Sequence, residues 1–501
     1  MEKSAAQSAD ERNVSVDKYA KLMSTPGSSV KTIALLQSFL QLNSCKKQCL
    51  CDWISGLPDE ILVSILDKLD SKTAVGTSLL SRRWRHLRSF IESFYFSEVV
   101  LPDNHCWVRL GPMRDYFNTH RDHHFVESLQ WFTRLKRDTP LRRLSLVFSG
   151  SAEYSDVVNS AIASAAQHGI SEVDMAIVVR MEYEFPWWLF SGYRSSPLTS
   201  LCLSHCKLSV PLDFGGFGSL TKLALVQMYM SLKEVQVLLR FCTNLVSLHL
   251  IGMFDIRILR LPKLKELILL MTPSWGKFKV DTPDLQRLEY CGEMLPTSTF
   301  QSIPCLEHVS LQFTDDIYPE YDADKLEDIS TCLTHVKSLC LRYQIPKLVK
   351  PRTPATFLNL KVLTLNIATK HSDDLLWMFM FLIAAPYLAT LRTTVRYLSY
   401  LEPHNGVIWD NVDFQHVNLK NVEMYNFMGR DNEIGLARLL LCRAPNLRCL
   451  SFNQARLEEG DDHQLVPPTW PMAETFSPRD IQFVLSKLLE SVSFSARVVF
   501  I

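Results

Sequence analysis

From about residue 140 onward, leucine and its apolar substitutes recur in six-residue runs of the form L-x-x-L-x-L. The runs are LRRLSL (141–146), LTSLCL (198–203), LTKLAL (220–225), LVSLHL (245–250), LKELIL (264–269), LQRLEY (285–290), LEHVSL (306–311), VKSLCL (336–341), LKVLTL (360–365), LATLRT (388–393), LKNVEM (419–424) and LRCLSF (447–452), with ISEVDM (170–175) as a degraded copy. Successive starts lie 19 to 31 residues apart. The L-x-L ending alternates with period two, which predicts a short strand with one apolar face. Recurrence at this spacing predicts a solenoid, each unit stacked on the one before. Three copies share a helix-like apolar run ahead of the strand: LLRFCTNLVSL (238–248), FLIAAPYLATL (381–391) and LLLCRAPNLRCL (439–450). In each the run ends at a small residue or Cys, and Pro or Thr then turns the chain into extended structure. The charge-free stretch Leu375 to Leu391 fits this template as a back helix. Its seventeen residues, with Pro386 late among them, are at the lower limit for a membrane span.

A different period governs residues 52–96. Pro58 suits a first helical turn, where its missing N–H costs nothing, and Asp59 and Glu60 follow at the positive end of the helix dipole. Ile61, Leu62, Ile65, Leu66 and Leu69 then recur at helical spacing. Asp70-Ser71 breaks the run; a second short helix is expected through Ala74, Val75, Leu79 and Leu80, and a third, capped by Ser81, bears Trp84 and Leu87. About forty residues of helix with so much apolar surface cannot bury it alone. The block needs the rest of the chain or a partner.

The stretch DWISGLPDEILVSILDKLDSKTAVGTSLLSRRWRHL (52–87) resembles the F-box of plant F-box/leucine-rich-repeat proteins. Leu57-Pro58-Asp59-Glu60-Ile61-Leu62, Ile65-Leu66, Thr77-Ser78, Leu80-Ser81 and Arg83-Trp84 carry the match in order and spacing. The repeats that follow are similar to the same family, and 433–452 is similar to its FBD region. Two departures are Trp53, where the family commonly has Arg, and a lead of some fifty residues, longer than usual. The resemblance implies an α/β protein in which a small three-helix F-box precedes a curved solenoid of short parallel strands with helical or irregular back segments. The expected division is a disordered or loosely ordered segment (1–51), the F-box (52–96), a linker (97–139), the solenoid (140–452) and a tail (453–501). It further implies that Leu57, Pro58, Ile61, Leu62, Ile65, Leu66, Leu80 and Trp84 include the groups that pack against a Skp-type adaptor, and through it a cullin–RING ubiquitin ligase.

Lys+Arg and Asp+Glu both number 53, so no net field draws in nucleic acid or an anionic membrane. The basic run 82–88, Arg82-Arg83-Trp84-Arg85-His86-Leu87-Arg88, therefore reads as a solvated helix face. Thirteen cysteines, odd in number and irregular in spacing, argue against a disulfide framework and for free thiols in a reducing compartment. The polar start, Met1 to Arg12, has no apolar signal core, and a cytoplasmic or nuclear protein is expected. Cys45, Cys49 and Cys51 lack a matched second pair for zinc, and His120, Asp122, His123 and His124 lie in a polar stretch; neither group is read as a metal site. No phosphate loop, zincin, nucleophile-elbow or dinucleotide motif is present. No catalytic residue and no cofactor is expected.

The central x of each L-x-L falls on the face opposite the leucines, the inner, concave face of such a solenoid. Ser145, Cys202, Ala224, His249, Ile268, Glu289, Ser310, Cys340, Thr364, Arg392, Glu423 and Ser451 form this set. It has no basic stripe and no aromatic ladder, so a protein or peptide ligand is expected, with His249, Glu289, Arg392 and Glu423 as its candidate contacts. Two functions follow: a receptor that holds a substrate protein for ubiquitination, or a repeat scaffold that does not deliver ubiquitin.

Overall fold

The computed structural model describes residues 54–98, 124–134, 140–149, 152–177, 183–191, 197–228, 230–252, 258–272, 279–292, 303–313, 333–344, 357–369, 375–397, 414–454, 476–489 and 495–501, apart from isolated positions, together with 254, 458–459 and 465–466. The chain divides into two compact units, Met1–Leu220 with Leu225–Tyr229, and Thr221–Ala224 with Met230–Ile501.

The first unit begins with helices α1 (Asp59–Leu66), α2 (Ser71–Gly76) and α3 (Arg82–Leu87), with a 3-10 turn at Thr77–Leu79 between the last two. Strand β1 (Ser93–Ser97) follows, then helix α4 (Phe125–Thr133), β2 (Arg143–Phe148), helix α5 (Ala152–Gln167), β3 (Glu172–Ile177), β4 (Ser200–Ser204) and β5 (Lys222–Val226), within which the division falls. Strands β1 to β4 pair in sequence, all parallel. The repeats predict β2, β3 and β4 but not β1, whose sequence SFYFS lacks the leucine signature. It joins the sheet because Phe94 and Phe96 occupy the core positions that leucines fill elsewhere, packing on Phe132 at 5.1 and 5.5 Å between ring centroids. The sheet thus begins inside residues 52–96, and a helix stands in the stretch expected as linker.

The second unit carries helix α6 (Leu232–Phe241) and strands β6 (Ser247–Ile251), β7 (Ile258–Arg260), β8 (Glu266–Thr272), β9 (Lys279–Asp281), β10 (Arg287–Gly292), β11 (His308–Phe313), β12 (Ser338–Gln344) and β13 (Val362–Thr369). Helix α7 (Phe379–Ala384), β14 (Thr390–Tyr397), β15 (Asn421–Tyr425), helix α8 (Asp431–Arg443), β16 (Cys449–Asn453), β17 (Glu458–Glu459), β18 (Leu465–Val466), helix α9 (Pro478–Leu489) and β19 (Arg497–Phe500) complete it. The sheet order is β6-β8-β10-β11-β12-β13-β14-β15-β16-β19, while β7 pairs with β9 and β17 with β18. The fold is an α/β solenoid, as the repeats predict.

Among the described residues, one junction recurs between successive repeats within each unit. Two successive N–H groups at a strand's entry donate to one carbonyl of the repeat before: Lys265 and Glu266 to Val246, Gln286 and Arg287 to Lys265, and so on to Arg448 and Cys449 on Lys420. In the first unit Arg142 and Arg143 share Glu92, and Ser171 and Glu172 share Arg142. Side-chain amides add a second tie: Asn359, Asn418 and Asn446 donate to the carbonyls of Thr334, Pro386 and Val417 at 2.7 to 2.9 Å. His416 serves the same purpose in the buried interior, accepting from Leu419 N–H at Nδ1 and bonding the Ala385 carbonyl through Nε2; burial pushes this imidazole down from its ordinary pKa. With register fixed, the leucines of successive strands stack in file, Leu339 beside Leu363 beside Leu391, each buried.

The stretch 375–391 resolves into a 3-10 turn, α7 and the start of β14, with Ala385-Pro386 at the break. Among the described residues no helix is long and apolar enough to cross a membrane. The sheet also continues past Phe452, where the leucine pattern ends: α9 and β19 form one more helix–strand unit, and Ile501 N–H donates to the Phe452 carbonyl. Phenylalanines replace leucines here, with Phe427, Phe452, Phe476 and Phe500 packed in one cluster.

In the first unit, a Cβ on Gly216 would meet the Phe190 carbonyl oxygen at 2.6 Å and Phe214 Cζ at 2.5 Å. Gly216→Ala must displace backbone in a packed aromatic cluster, a strain of about 1–3 kcal/mol. Denaturant unfolding of that variant should show a lowered midpoint with an unchanged slope.

Candidate functional site

The helical block builds its own small core and leaves a second apolar surface uncovered. Leu62, Leu66 and Trp84 are buried, with Leu69, Ala74, Leu87 and Ile91 around them. Leu57 and Ile65 are half-buried and Pro58 is exposed. Ile61, Leu79 and Leu80 project outward, 47%, 85% and 59% exposed. Of the eight residues read from the sequence as adaptor contacts, three therefore form the interior that holds the helices together. Leu79, absent from that set, is the most exposed large hydrophobic side chain of the described residues. The sequence predicts Leu79 and Leu80 on the second helix, but that helix ends at Gly76 and a 3-10 turn at Thr77–Leu79 follows, with both leucines exposed.

The basic run is partly structural. Arg83 donates from Nε to Asp59 at 2.7 Å and from Nη2 to the Leu57 carbonyl at 2.5 Å, tying α3 to the start of α1. Ser81 stands just before α3 with its Oγ 3.4 Å from Trp84 N, the capping position expected of it.

A polar seam joins this block to the sheet. Strand β1 is the edge of the first unit's sheet, with β2 on one side only. The N–H groups of Glu92 and Ser93 donate to Asp67 Oδ1 at 3.0 and 3.2 Å, and Tyr95 N–H donates to Ser71 Oγ at 2.7 Å. Side chains at the ends of α1 and α2 thus satisfy backbone donors that an edge strand would otherwise turn to solvent. Burial holds the Asp67 carboxyl above its ordinary pKa, against the two N–H groups that favour its charged form.

On the sheet face opposite the leucines, the central-x residues fall into one row. In the second unit His249, Ile268, Glu289, Ser310, Cys340, Thr364, Arg392, Glu423 and Ser451 are successive register partners. The four candidate contacts do not converge. Four strand spacings separate Glu289 from Arg392, roughly 19 Å at about 4.8 Å each. His249 is buried beside Ser247 and Glu266, its Nε2 lying 3.0 Å from Ser247 Oγ and 3.2 Å from Glu266 Oε2. Ser247 donates to the same carboxylate at 2.7 Å, and Arg287 approaches it at 3.6 Å. Arg392 donates to Glu423 at 3.1 Å, and Tyr425 donates to Glu423 at 2.8 Å. In the first unit the degraded copy supplies Asp174 to this row, paired with Arg143 through Nε at 2.7 Å. Ser247, Glu266, Asp174 and Tyr425 were legible by the same alternation, two residues either side of the central x or in the degraded copy.

Family models match at two places. An F-box domain model matches residues 54–87, and the At1g61320/AtMIF1 leucine-rich-repeat domain model matches residues 137–475. The chain is an F-box/leucine-rich-repeat protein. Among its relatives in Arabidopsis thaliana, the F-box protein At3g59000 is 27% identical over 50% of this chain and 51% of its own length. The putative F-box/LRR-repeat protein At3g44810 is 33% identical over 30% of this chain and 32% of its own. The F-box/FBD/LRR-repeat protein At1g13570 is 24% identical over 81% of this chain and 91% of its own. The match thus spans about half the length of the first relative and a third of the second.

His124 pairs with Glu127 at 2.9 Å, while His120, Asp122, His123 and the cysteines at 45, 49 and 51 lie outside the described residues. Cys206, Cys242, Cys291 and Cys340 are buried; burial pushes the Cys242 thiol up to about 12.

Asp67→Ala should leave two N–H groups of β1 without their acceptor, costing about 1–3 kcal/mol. Hydrogen exchange at the Glu92 and Ser93 amides should accelerate while distant strands keep their protection. Glu266 supplies a pH signature. The hydrogen bond from His249 is the main cause that lowers its pKa from 4.5 to about 2, helped by Ser247 and Arg287 and opposed by burial. The unfolded chain binds more protons between those two values, so this stabilisation is complete above about pH 5 and lost as pH falls toward 2. Acid unfolding of His249→Phe should show a weaker dependence of this kind, with its midpoint shifted to higher pH.

Proposed function

We propose that this protein is the substrate-recognition subunit of an SCF-type cullin–RING ubiquitin ligase. Its F-box would dock on a Skp-type adaptor while its repeats hold a protein substrate near the ubiquitin donor. The observation that carries this reading is the double nature of the F-box. Its helices are already folded around Leu62, Leu66 and Trp84, yet Ile61, Leu79 and Leu80 remain exposed together with Pro58. An apolar surface on a block with a finished core fits a partner interface, with burial worth about 1.5–3 kcal/mol per large aliphatic side chain. On this reading the chain performs no bond chemistry; it works by proximity, and ubiquitin transfer belongs to other subunits. Buried thiols at Cys206 and Cys242 accord with a cytoplasmic or nuclear site of action.

The polar sheet face supports a protein ligand over nucleic acid. Among the described residues its charge pairs are Arg392 with Glu423 and Glu266 with Arg287, and they form no continuous basic track. A scaffold role without ubiquitin delivery is the alternative, and deletion of 52–96 separates the two: a bound partner should accumulate only if it is a ligase substrate.

Leu79→Asp and Leu80→Asp alter side chains outside the F-box core, so the fold should persist. Capture of a purified Skp-type adaptor by the full chain should fall at least tenfold for the double variant. A wild-type protein that never binds the adaptor, or a double variant that binds it undiminished, would sink the proposal.

A further inference from the structure

The turns that lead into the strands of the second unit share one construction. An N–H at the first leucine position donates to the carbonyl three residues back: Leu264 to Leu261, Leu285 to Thr282, Val336 to Leu333, Leu360 to Phe357, Leu388 to Ala385 and Leu447 to Ala444. Before β15 the His416 ring replaces the carbonyl and accepts from Leu419 N–H. The two residues between form the tip of each turn. Most tips are proline or polar: Pro262-Lys263, Pro283-Asp284, Thr334-His335 and Pro445-Asn446, all exposed. Three consecutive repeats depart from this. Leu358, Tyr387 and Val417 stand at the tips before β13, β14 and β15, with 56%, 51% and 53% exposure. These strands are neighbours, so two spacings of about 4.8 Å carry the ridge from Leu358 to Val417. The turn itself does not call for a large apolar side chain, since Thr334 holds the position of Leu358 one repeat earlier.

A file of cations runs beside this ridge. Lys361 and Lys420 follow three residues after Leu358 and Val417, and Arg448 follows Pro445 in the same way. Their backbones are joined in order: Ala389 N–H donates to the Lys361 carbonyl, Lys420 N–H to Ala389 and Arg448 N–H to Lys420. All three side chains are exposed, and none forms an ion pair with another described residue. Lys361 Nζ lies 5.2 Å from the centre of the Tyr387 ring, which ties the file to the ridge. The entry segments 357–362, 384–390, 414–421 and 443–449 contain no Asp or Glu. An apolar ridge beside such cations fits a partner that brings apolar and acidic groups together. A second copy of this chain would set like cations against each other across a two-fold axis. A lipid surface would strip water from the Asn359 and Asn446 amides at the same tips, which a polypeptide can hydrogen-bond. We propose that the entry turns of β13 to β15 dock an amphipathic segment of a partner protein. Its apolar side chains cover Leu358, Tyr387 and Val417, and its Asp or Glu side chains meet Lys361, Lys420 and Arg448. None of these residues belongs to the central-x row, and the surface stands whether or not the F-box docks an adaptor.

The test uses the full chain and a phage-displayed library of random sixteen-residue peptides as probe. Enriched peptides should combine apolar residues with Asp or Glu, and their binding should weaken as salt rises. Leu358→Thr, Tyr387→Asn and Val417→Thr together give this ridge the polar tips of the other repeats. That triple variant should keep its melting temperature and bind the same peptides at least tenfold more weakly. Lys361→Glu with Lys420→Glu leaves the ridge intact; it should weaken them at least tenfold, and selection on it should turn to basic peptides. No enrichment, peptides without acidic residues, or undiminished binding by either variant would overturn the proposal. So would a wild type that selects no peptide yet sediments with phosphatidylserine–phosphatidylcholine vesicles, or one that forms a dimer which the triple variant abolishes.

Discussion

The structure depends on one recurring junction, where two backbone N–H groups at the entry of a strand share a single carbonyl of the preceding repeat. This contact fixes the register of neighbouring strands, and a slip of one residue would turn every leucine from the core to the other face. With register set, each L-x-L delivers its leucines to one side and its intervening residue to the other. The core file of Leu339, Leu363 and Leu391 and the polar row of Cys340, Thr364 and Arg392 are two consequences of the same hydrogen bonds. Asn359, Asn418, Asn446 and His416 reinforce the junction from the side chains, so repeats of unequal length keep equal register.

The same economy explains how the F-box attaches. A parallel sheet must end somewhere, and its edge strand presents unsatisfied donors. Here Asp67 and Ser71, at the ends of helices that otherwise build the F-box core, accept those donors from β1. The block that would dock an adaptor is therefore hydrogen-bonded to the first strand of the surface that would hold a substrate. Its apolar residues divide accordingly: Leu62, Leu66 and Trp84 face inward, and Leu79, Leu80 and Ile61 stay outside.

At the other end of the chain the FBD-like stretch is built by the rules of the repeats with different residues. The buried Glu433 carboxylate accepts from Met428 N–H, Arg430 N–H and the Tyr397 hydroxyl, binding the start of α8 to the end of β14. Burial raises its pKa, and those three donors satisfy an oxygen pair that the interior would otherwise penalise. Phenylalanines then carry the packing out to β19.

The sequence by itself determined the repeating strands, the row of central-x residues and the F-box, because each rests on a period or spacing that a single chain displays. It left β1 and β19 unread, since SFYFS and RVVF join the sheet through phenylalanine or valine packing and carry no leucine signature. It also could not divide the F-box residues between core and surface. Helical spacing marks Leu62 and Leu80 alike as apolar, yet Leu62 packs inward on α1 while Leu80, just after a 3-10 turn, stays outside. Asn366 and Thr394 show the same limit. Their alternation was legible, but that their polar atoms are buried with no hydrogen-bond partner among the described residues is a property of neighbours brought from strands about thirty residues apart, which only the tertiary structure decides.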